Sequence, residues 1–225
     1  MLISYLINTL VKPTIPTDTE TVMQKTIYMA FVFILLFSTS PFALTLNKTT
    51  IPQTLTVDGT SIVLNGVGLR KKFGFKAYYA GLYLSEKNSD RDKIIQAKKP
   101  QAIVMYWNRG ADIKKIQLVF LKSLAISANA APRKVYTMDS DYGIYTKEIT
   151  DFVSWLSETA VKKKTIWSFY YIPGKGIDVY INDTKTRKFK GTIPGFEFKK
   201  ILWGVWLAKS QAVGKKMTND MLGIH

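Results

Sequence analysis

Arg70 and Tyr78 are the two side chains of this sequence whose types and spacing indicate a ligand site. They lie in the stretch Leu64–Leu84, which predicts two strands joined by a tight basic connection, with Arg70 ending the first strand and Tyr78 inside the second. An arginine guanidinium can form two hydrogen bonds with a carboxylate, and a tyrosine hydroxyl can donate another. On an otherwise apolar sheet, the pair would suit the anionic head of a hydrophobic ligand. The alternatives are an exposed strand-end charge for Arg70 and an ordinary strand aromatic for Tyr78.

Other kinds of site lack the residues that they need. The chain has no cysteine and one histidine, His225, so we expect neither cysteine-based metal centres nor a Ser-His-Asp triad. The segment Asp139–Gly143 resembles the start of a calcium loop, but Thr150 stands where an acidic twelfth residue is needed. Glu148 and Asp151 lie three apart on a predicted helix without a partner for acid–base catalysis. We therefore predict no catalytic residue, no metal site and no cofactor.

Residues Met23–Ala43 have the pattern of a secretory signal peptide. A lysine provides the positive start, Ile27–Phe37 is an uninterrupted apolar run of 11 residues, and small residues precede an expected cleavage after Ala43. A membrane anchor is the weaker alternative, because a spanning helix needs about 20 apolar residues. We therefore expect residues 1–43 to be a signal region, with Met23 a candidate for the true start. Residues 44–225 are expected to form a single periplasmic or secreted domain.

The net charge of +16 favours anionic partners. The lysines are spread along the chain rather than clustered in a basic arm, so most of them are expected on a solvated surface. Examples are Lys71, Lys98, Lys122, Lys162, Lys190, Lys199 and Lys215. Since export is expected, nucleic acid is not an expected partner. The expected partners are an amphipathic small-molecule anion and, as a further candidate, an anionic membrane surface.

The order of the predicted elements is strands, helices, strands and helices. Strands are predicted at Thr54–Val57, Ser61–Leu69, Lys76–Leu84, Ala102–Trp107, Thr165–Ile172, Ile177–Ile181 and Arg187–Thr192. Helices are predicted at Asp90–Gln96 (capped by Ser89), Ala111–Asn129, Thr146–Glu158, Pro194–Ala208 and Ser210–Leu222. This order indicates an α+β domain in which helices cover one face of an antiparallel sheet.

Two further groups of residues bear on the predicted sheet. Gly66 and Gly68 lack the third glycine of a dinucleotide fingerprint, so we expect them to relieve crowding or bend the strand. Apolar stripes are predicted for Ala111–Asn129 (Ile113, Ile116, Phe120 and Leu124) and for Thr146–Glu158 (Ile149, Phe152, Val153 and Leu156). We expect the walls of a ligand cleft to come from the first of these stripes and from nearby aromatics. Those aromatics are Phe73, Phe75, Tyr79 and Trp107.

Three stretches of the chain carry a resemblance to a known family. They are Leu64–Leu84, the hairpin Tyr170–Gly176 followed by Gly191–Gly195, and Leu202–Leu207 with Met221–Gly223. In this order they are similar to bacterial exported proteins of the chalcone isomerase-like family, over nearly all of residues 50–223. The resemblance implies an open-faced β-sandwich, in which a helical layer covers a large antiparallel sheet and a ligand cleft lies between them.

The resemblance also bears on catalysis. Plant chalcone isomerases use an arginine, a threonine on the next strand, a tyrosine–asparagine pair on the first long helix and a hydroxyl residue after an Ile-Pro turn. Arg70 matches the arginine and Tyr78 falls at the next-strand position, but Ala111–Asn129 contains no tyrosine, and Gly195 and Phe196 offer no hydroxyl after the turn. The chain therefore resembles the fatty-acid-binding members more, in which the arginine and tyrosine hold a carboxylate and the cleft holds the alkyl chain.

Three functional hypotheses follow. The favoured one is a non-catalytic carrier of a fatty acid or similar amphipathic carboxylate, held by Arg70 and Tyr78. The alternative is an intramolecular lyase or isomerase that acts on a phenolic or enone substrate, with Arg70 stabilising an oxyanion. The third is an interaction module that contacts a membrane surface through its basic face and has no pocket.

Overall fold

Residues 43–72, 74–130, 147–157, 160–182, 187–208 and 213–224 are described by the computed structural model of the chain. The predicted signal region up to residue 42, the aromatic Phe73 and the Asp139–Gly143 segment lie outside them. All described residues belong to one compact unit, residues 41–225. Within the described ranges, no helix is both long enough and apolar enough to cross a membrane.

Seven antiparallel strands form the main sheet, and strands that are neighbours in the sheet are also neighbours in the sequence. A separate hairpin, β1 (Ala43–Leu46) and β2 (Thr49–Pro52), precedes them and is absent from the sequence-based prediction. The strands of the main sheet are β3 (Thr54–Val57), β4 (Thr60–Lys72), β5 (Phe75–Leu84), β6 (Gln101–Trp107), β7 (Ile166–Ile172), β8 (Gly176–Asn182) and β9 (Arg187–Pro194). The sheet is therefore a meander.

Five helices occur in the described part of the chain, and they pack on the sheet. They are α1 (Arg91–Gln96), α2 (Ile113–Ala130), α3 (Lys147–Ser157), α4 (Phe196–Leu207) and α5 (Lys215–Met221). The predicted α+β class, an open-faced sandwich with a helical layer on a large antiparallel sheet, is confirmed. The apolar stripes predicted for the two long helices are also confirmed, since Ile116, Phe120 and Leu124 of α2 and Phe152 and Leu156 of α3 are buried.

The two faces of the sheet carry separate cores, because successive side chains of a strand point to opposite faces. Leu82 of β5 and Ile103 of β6 belong to the core that includes the helices. Their neighbours in sequence, Tyr83 and Val104, belong to a second core on the other face, together with Ile51 of β2. The small N-terminal hairpin therefore helps to cover the face that the helices leave free.

Some predicted boundaries need correction. Asp90, not Ser89, caps α1, because its carboxylate accepts a hydrogen bond from the backbone N–H of Lys93 at 3.0 Å. The last helix begins at Lys215 rather than at Ser210, after Gly214, which has a φ of 92°. β4 runs on to Lys72, past the predicted end of the strand at Leu69.

The glycines of β4 make room for α5. A Cβ atom at Gly66 would overlap the backbone carbonyl of Asp220 and lie 2.6 Å from that of Met221. A Cβ atom at Gly68 would lie 2.5 Å from the carbonyl of Met217. The prediction that these glycines relieve crowding is confirmed, and the crowding comes from helix backbone, which cannot move aside as a side chain can.

We expect Gly66→Ala to lower the free energy of unfolding by about 3 kcal/mol, because the new methyl group must displace α5 or bend β4. Urea denaturation followed by circular dichroism would measure the change. Gly59→Ala is the matched control, since Gly59 has a φ of +74° but open space around its Cβ position. That control should cost only about 1 kcal/mol, the usual price of a left-handed conformation. Equal losses in the two variants would contradict the proposed close packing.

Candidate ligand-binding cleft

A cleft of about 270 Å³ lies between the β4–β5 hairpin and the helical layer. Its apolar lining consists of Ala77, Trp107, Ala111, Ile116, Val119, Phe120, Val205 and Val213. Its polar lining consists of Arg70, Lys72, Tyr78, Asp112, Lys115 and Ser123. Ligand clefts typically combine mostly apolar walls with a few convergent polar groups, over volumes of about 300–1,000 Å³. The cleft has this character and suits a slender ligand.

Arg70 and Tyr78 are brought together by the register of the sheet. They are directly paired across β4 and β5, and the register shifts immediately after them, between Arg70 and Lys71. Directly opposed residues of an antiparallel pair place their side chains on the same face, with Cβ atoms about 5 Å apart. Both side chains line the cleft, so the structure brings the two predicted site residues into one wall.

The guanidinium of Arg70 is fixed by the backbone. Its Nη1 donates a hydrogen bond of 2.6 Å to the carbonyl oxygen of Val213, just before α5. An arginine carries five N–H donors, and this is the one hydrogen bond of Arg70 within the described part of the chain. The contact therefore orients the group and leaves donors for an anion in the cleft.

Tyr78 presents a neutral hydroxyl in this wall. Its ring packs at a tilt against Trp107, with 5.1 Å between ring centroids. Part of the side chain remains accessible, yet the protein around it is dense enough that burial raises its pKa above the ordinary value. The indole of Trp206 and the positive charge of Arg70 act in the opposite direction and are the smaller effects. The hydroxyl therefore keeps its proton at neutral pH and can donate a hydrogen bond to an anion.

Two indole N–H groups near the cleft are unused donors. The Nε1 atoms of Trp107, which lines the cleft, and of Trp206, which influences the Tyr78 hydroxyl, are buried and have no hydrogen-bond partner among the described residues. The Trp206 indole thus lies close enough to affect the Tyr78 oxygen but outside the geometry of a standard hydrogen bond. With Arg70 and Tyr78, this part of the protein offers hydrogen-bond donors and one fixed positive charge. Chemically, that arrangement can bind and stabilise an anion.

Of the aromatics predicted to line the cleft, Trp107 does so, but two others do not. Tyr79 points to the opposite face of the sheet, because it follows Tyr78 directly in a strand, and its hydroxyl accepts a hydrogen bond of 2.7 Å from Asn47. Phe75 lies at the tip of the hairpin, is 61% exposed and contacts the Arg109 guanidinium at 4.6 Å. Both predictions are wrong.

Sequence reasoning missed three features of the cleft. The Val213 carbonyl has no signal in the sequence, since any residue could provide it. Ser123 gives the buried face of α2 a hydroxyl, and its spacing of three from Phe120 could have indicated it. Lys115 and Asp112 contribute charges of opposite sign to the lining, and Asp112 also caps α2 through a 3.1 Å hydrogen bond from the Lys115 backbone N–H.

Among the described residues, no group of three or more His, Asp or Glu side chains comes together that could hold a metal ion.

Helix α2 contributes Lys115, Ile116, Val119, Phe120 and Ser123 to the described lining of the cleft. That lining therefore has no tyrosine or asparagine from this helix.

Comparison with known proteins agrees with the resemblance seen in the sequence. A family model described as chalcone isomerase-like matches residues 43–223. The chain belongs to the chalcone isomerase-like family. The crystal structure of a fatty-acid binding protein from Arabidopsis thaliana is similar to this chain, with a TM-score of 0.61 and 15% sequence identity, over 80% of this chain and 96% of that one. At that identity the likeness shows the fold. No match was found among curated proteins.

Proposed function

We propose that this protein is a non-catalytic carrier that binds a fatty acid or a similar amphipathic carboxylate in the cleft. The observation that carries this proposal is the pairing of Arg70 with Tyr78 in an otherwise mostly apolar cleft. The carboxylate would accept hydrogen bonds from the Arg70 guanidinium and the neutral Tyr78 hydroxyl. The alkyl chain would then lie against Trp107 and Phe120 and would cover the partly exposed Ala77 and Ala111 of the lining, which removes apolar surface from water.

The fold supports the same proposal more coarsely. A member of the same fold from Arabidopsis thaliana is a fatty-acid binding protein, so a binding role is known to be compatible with this architecture. The alternative, an intramolecular lyase or isomerase, would also use Arg70 as a fixed positive charge. It is the weaker candidate. Catalytic members of the family use a tyrosine hydroxyl and an asparagine amide on the first long helix, and α2 offers the described lining only the Ser123 hydroxyl.

The test is mass spectrometry of molecules that co-purify with the chain. The full chain would be expressed in a Gram-negative host, purified under native conditions and extracted with organic solvent, beside an Arg70→Ala variant. A stoichiometric amphipathic carboxylate in the wild type, lost in the variant, would support the carrier. A wild-type protein that contains no such molecule, and does not take up dodecanoate when it is added, would rule out the carrier and favour assays on enone substrates.

Fractionation of the same host cells tests the proposed location. We infer export to the periplasm from the Met23–Ala43 pattern in the sequence. The intact mass of protein recovered from the periplasmic fraction would show whether the chain is cleaved after Ala43. Recovery of the uncleaved chain from the cytoplasm alone would contradict export without affecting the ligand-binding proposal.

The Tyr78 hydroxyl is expected to contribute less than Arg70. We expect Tyr78→Phe to weaken dodecanoate binding roughly tenfold, because a hydrogen bond to a charged group is worth about 1.5–3 kcal/mol. Isothermal titration calorimetry would measure the dissociation constant. Tyr79→Phe is a matched control, since it removes the same atom from the opposite face of the same strand and should leave binding unchanged. A Tyr78→Phe variant that binds as tightly as the wild type would remove Tyr78 from the site.

A further inference from the structure

We propose that the outward face of α2, together with the tip of the β4–β5 hairpin, docks on an anionic phospholipid surface. This docking face is defined by Lys114, Lys115, Leu118, Val119, Lys122 and Ile126 on α2, with Lys71, Lys72, Phe75 and Lys76 on the hairpin. The inference does not depend on what the cleft holds, and it assigns a partner to a surface that the carrier proposal leaves without a role.

The outward face of α2 combines large apolar and basic side chains. Leu118, Val119 and Ile126 are 50%, 45% and 43% exposed, whereas a helix on a globular domain normally directs such residues to the core. At about 100° per residue, these three and the helix lysines fall within an arc of roughly 140°. The arc lies opposite the buried stripe of Ile116, Phe120 and Leu124. The exposed apolar residues are therefore a contiguous surface and not scattered side chains.

The charge of this face is mostly positive, and Asp112, directly before α2, is the one acidic residue among the described residues that line the same opening. No acidic residue occurs in α2, and Lys114, Lys115 and Lys122 form no ion pair with an acidic side chain in the described ranges. Some described lysines on other surfaces, such as Lys93, Lys99 and Lys216, are paired with carboxylates, whereas Lys87 and Lys188 are in none of the ion pairs among the described residues. The α2 face differs from those surfaces because its lysines alternate with exposed apolar side chains. A helix face whose three lysines are not paired with carboxylates in the described ranges, and whose apolar side chains lie between those lysines, is complementary to an anionic lipid surface.

The tip of the β4–β5 hairpin also combines an exposed apolar side chain with lysines, and it borders the ligand cleft. Phe75 is 61% exposed, and its neighbours in the paired strand ends include Lys71, Lys72 and Lys76. Of the seven exposed large apolar side chains in the described structure, four lie on these two elements, which concentrates the exposed apolar surface there. Lys72 from the hairpin and Lys115 and Val119 from α2 all line the cleft, so the two elements border one opening.

Interfacial physics favours this combination. Apolar side chains can enter the headgroup boundary while lysine stems lie along the apolar surface and carry their ammonium groups to the phosphates. Each lysine near an anionic surface strengthens association on the order of fivefold, an effect that falls with ionic strength. Docking in this way would turn the opening of the cleft toward the lipid surface.

The absence of cysteine makes a site-resolved test simple. A single cysteine introduced as Leu118→Cys or Ile126→Cys would be the only thiol of the chain and can carry an environment-sensitive fluorophore. Lys87→Cys and Phe189→Cys are the matched controls on other exposed surfaces. The full chain would be mixed with vesicles of phosphatidylcholine alone or with added phosphatidylglycerol. This readout remains interpretable even if another segment also binds lipid.

The expected result is a blue shift and gain of emission at positions 118 and 126 with phosphatidylglycerol vesicles, and none at positions 87 and 189. Binding of vesicles without a shift at 118 and 126, or no binding at all, would overturn the proposal. The contribution of the lysines is measured with the double variant Lys114→Gln, Lys122→Gln, which should bind phosphatidylglycerol vesicles roughly twenty-fold more weakly than the wild type. The pair Lys87→Gln and Lys188→Gln removes the same charge elsewhere, and an equal loss there would reduce the effect to non-specific attraction and overturn the docking face.

Discussion

Arg70→Ala should weaken the binding of dodecanoate at least about thirty-fold, the largest functional effect that we expect of any single substitution. Removing one partner of a hydrogen-bonded charge pair costs about 2–5 kcal/mol, since the other charge is left without its partner in a partly apolar site. The variant also loses the 2.6 Å hydrogen bond to the Val213 carbonyl. Isothermal titration calorimetry would measure the affinity, and the co-purified ligand should be lost with it.

Two comparison variants separate charge from geometry. Lys71→Ala removes a neighbouring positive charge that is exposed and absent from the cleft lining, and it should change the affinity less than threefold. Arg70→Lys keeps the charge but not the planar fork, so it should bind with intermediate affinity. If Lys71→Ala and Arg70→Ala reduce binding equally, Arg70 acts only through the general charge of the surface and the proposed anchor is wrong.

Lys199→Met should lower the free energy of unfolding by about 2–4 kcal/mol, because the carbonyl groups of Ile95 and Ala97 lose their side-chain donor. The Ile94 carbonyl would keep the hydrogen bond from Gln101. Lys199 is fully buried. Its ammonium group donates to the carbonyl oxygens of Ile94 and Ile95, each at 2.8 Å, and of Ala97 at 3.1 Å. These are the last carbonyls of α1, which a helix cannot satisfy by itself. The side chain thereby joins α4 to the end of α1.

The ionisation of Lys199 adds a dependence on pH. Burial, reinforced by the charge of Lys200, lowers its pKa from 10.5 to about 7, while the three carbonyls and nearby aromatic rings favour the charged form. Between pH 7 and 10.5 the unfolded chain keeps a proton that the folded chain releases, so this lysine makes stability rise with pH over that range. Lys199→Met removes the titrating group, so the advantage of the wild type should grow from pH 7 to pH 10 and stay constant below about pH 6.

Urea denaturation at several pH values would measure both effects. Lys188→Met, at an exposed position of β9, is the matched control and should change stability by less than about 0.5 kcal/mol. A Lys199→Met variant as stable as the wild type at every pH would mean that the carbonyls find other partners, and that Lys199 does not join the two helices.

The strands of the main sheet and most of the helices could be predicted from local patterns, whereas the cleft between sheet and helices is implied by the resemblance to the chalcone isomerase-like family. Alternation and helical spacing depend on neighbours in the sequence, so Ile116, Phe120 and Leu124 were assigned correctly to a buried stripe. The pairing of Arg70 with Tyr78 follows from the tight connection between their strands. In each case the information that decides the structure lies within a few residues.

The errors come from contacts between distant residues. A lysine is expected on the surface from its residue type, and Lys199 is among the lysines for which that is expected. It is buried because α1, about a hundred residues earlier in the chain, packs against α4 and directs its last carbonyls at the Lys199 ammonium group. The prediction that Tyr79 and Phe75 line the cleft fails for a different reason. Composition does not show which face of a strand a residue occupies, and Tyr79 lies on the face opposite to the cleft while Phe75 is exposed at the hairpin tip. The hairpin of β1 and β2 contains few large apolar residues, so its pattern is weak until it packs on Ile62 and Tyr83.

The meander order of the main sheet has a consequence for how the protein assembles. Each strand pairs with its neighbour along the chain, so the sheet can grow progressively as the polypeptide emerges. The longest connection within the sheet is residues 108–165, between β6 and β7. The proposed anion site depends on contacts that form later. The carbonyl that orients Arg70 lies 143 positions further along the sequence, and Asn65 donates to the Met221 carbonyl across 156 positions. A newly made chain would therefore form most of the sheet before it forms the cleft. The cleft would be completed when α5 packs on β4 and the Val213 carbonyl accepts the hydrogen bond from Arg70.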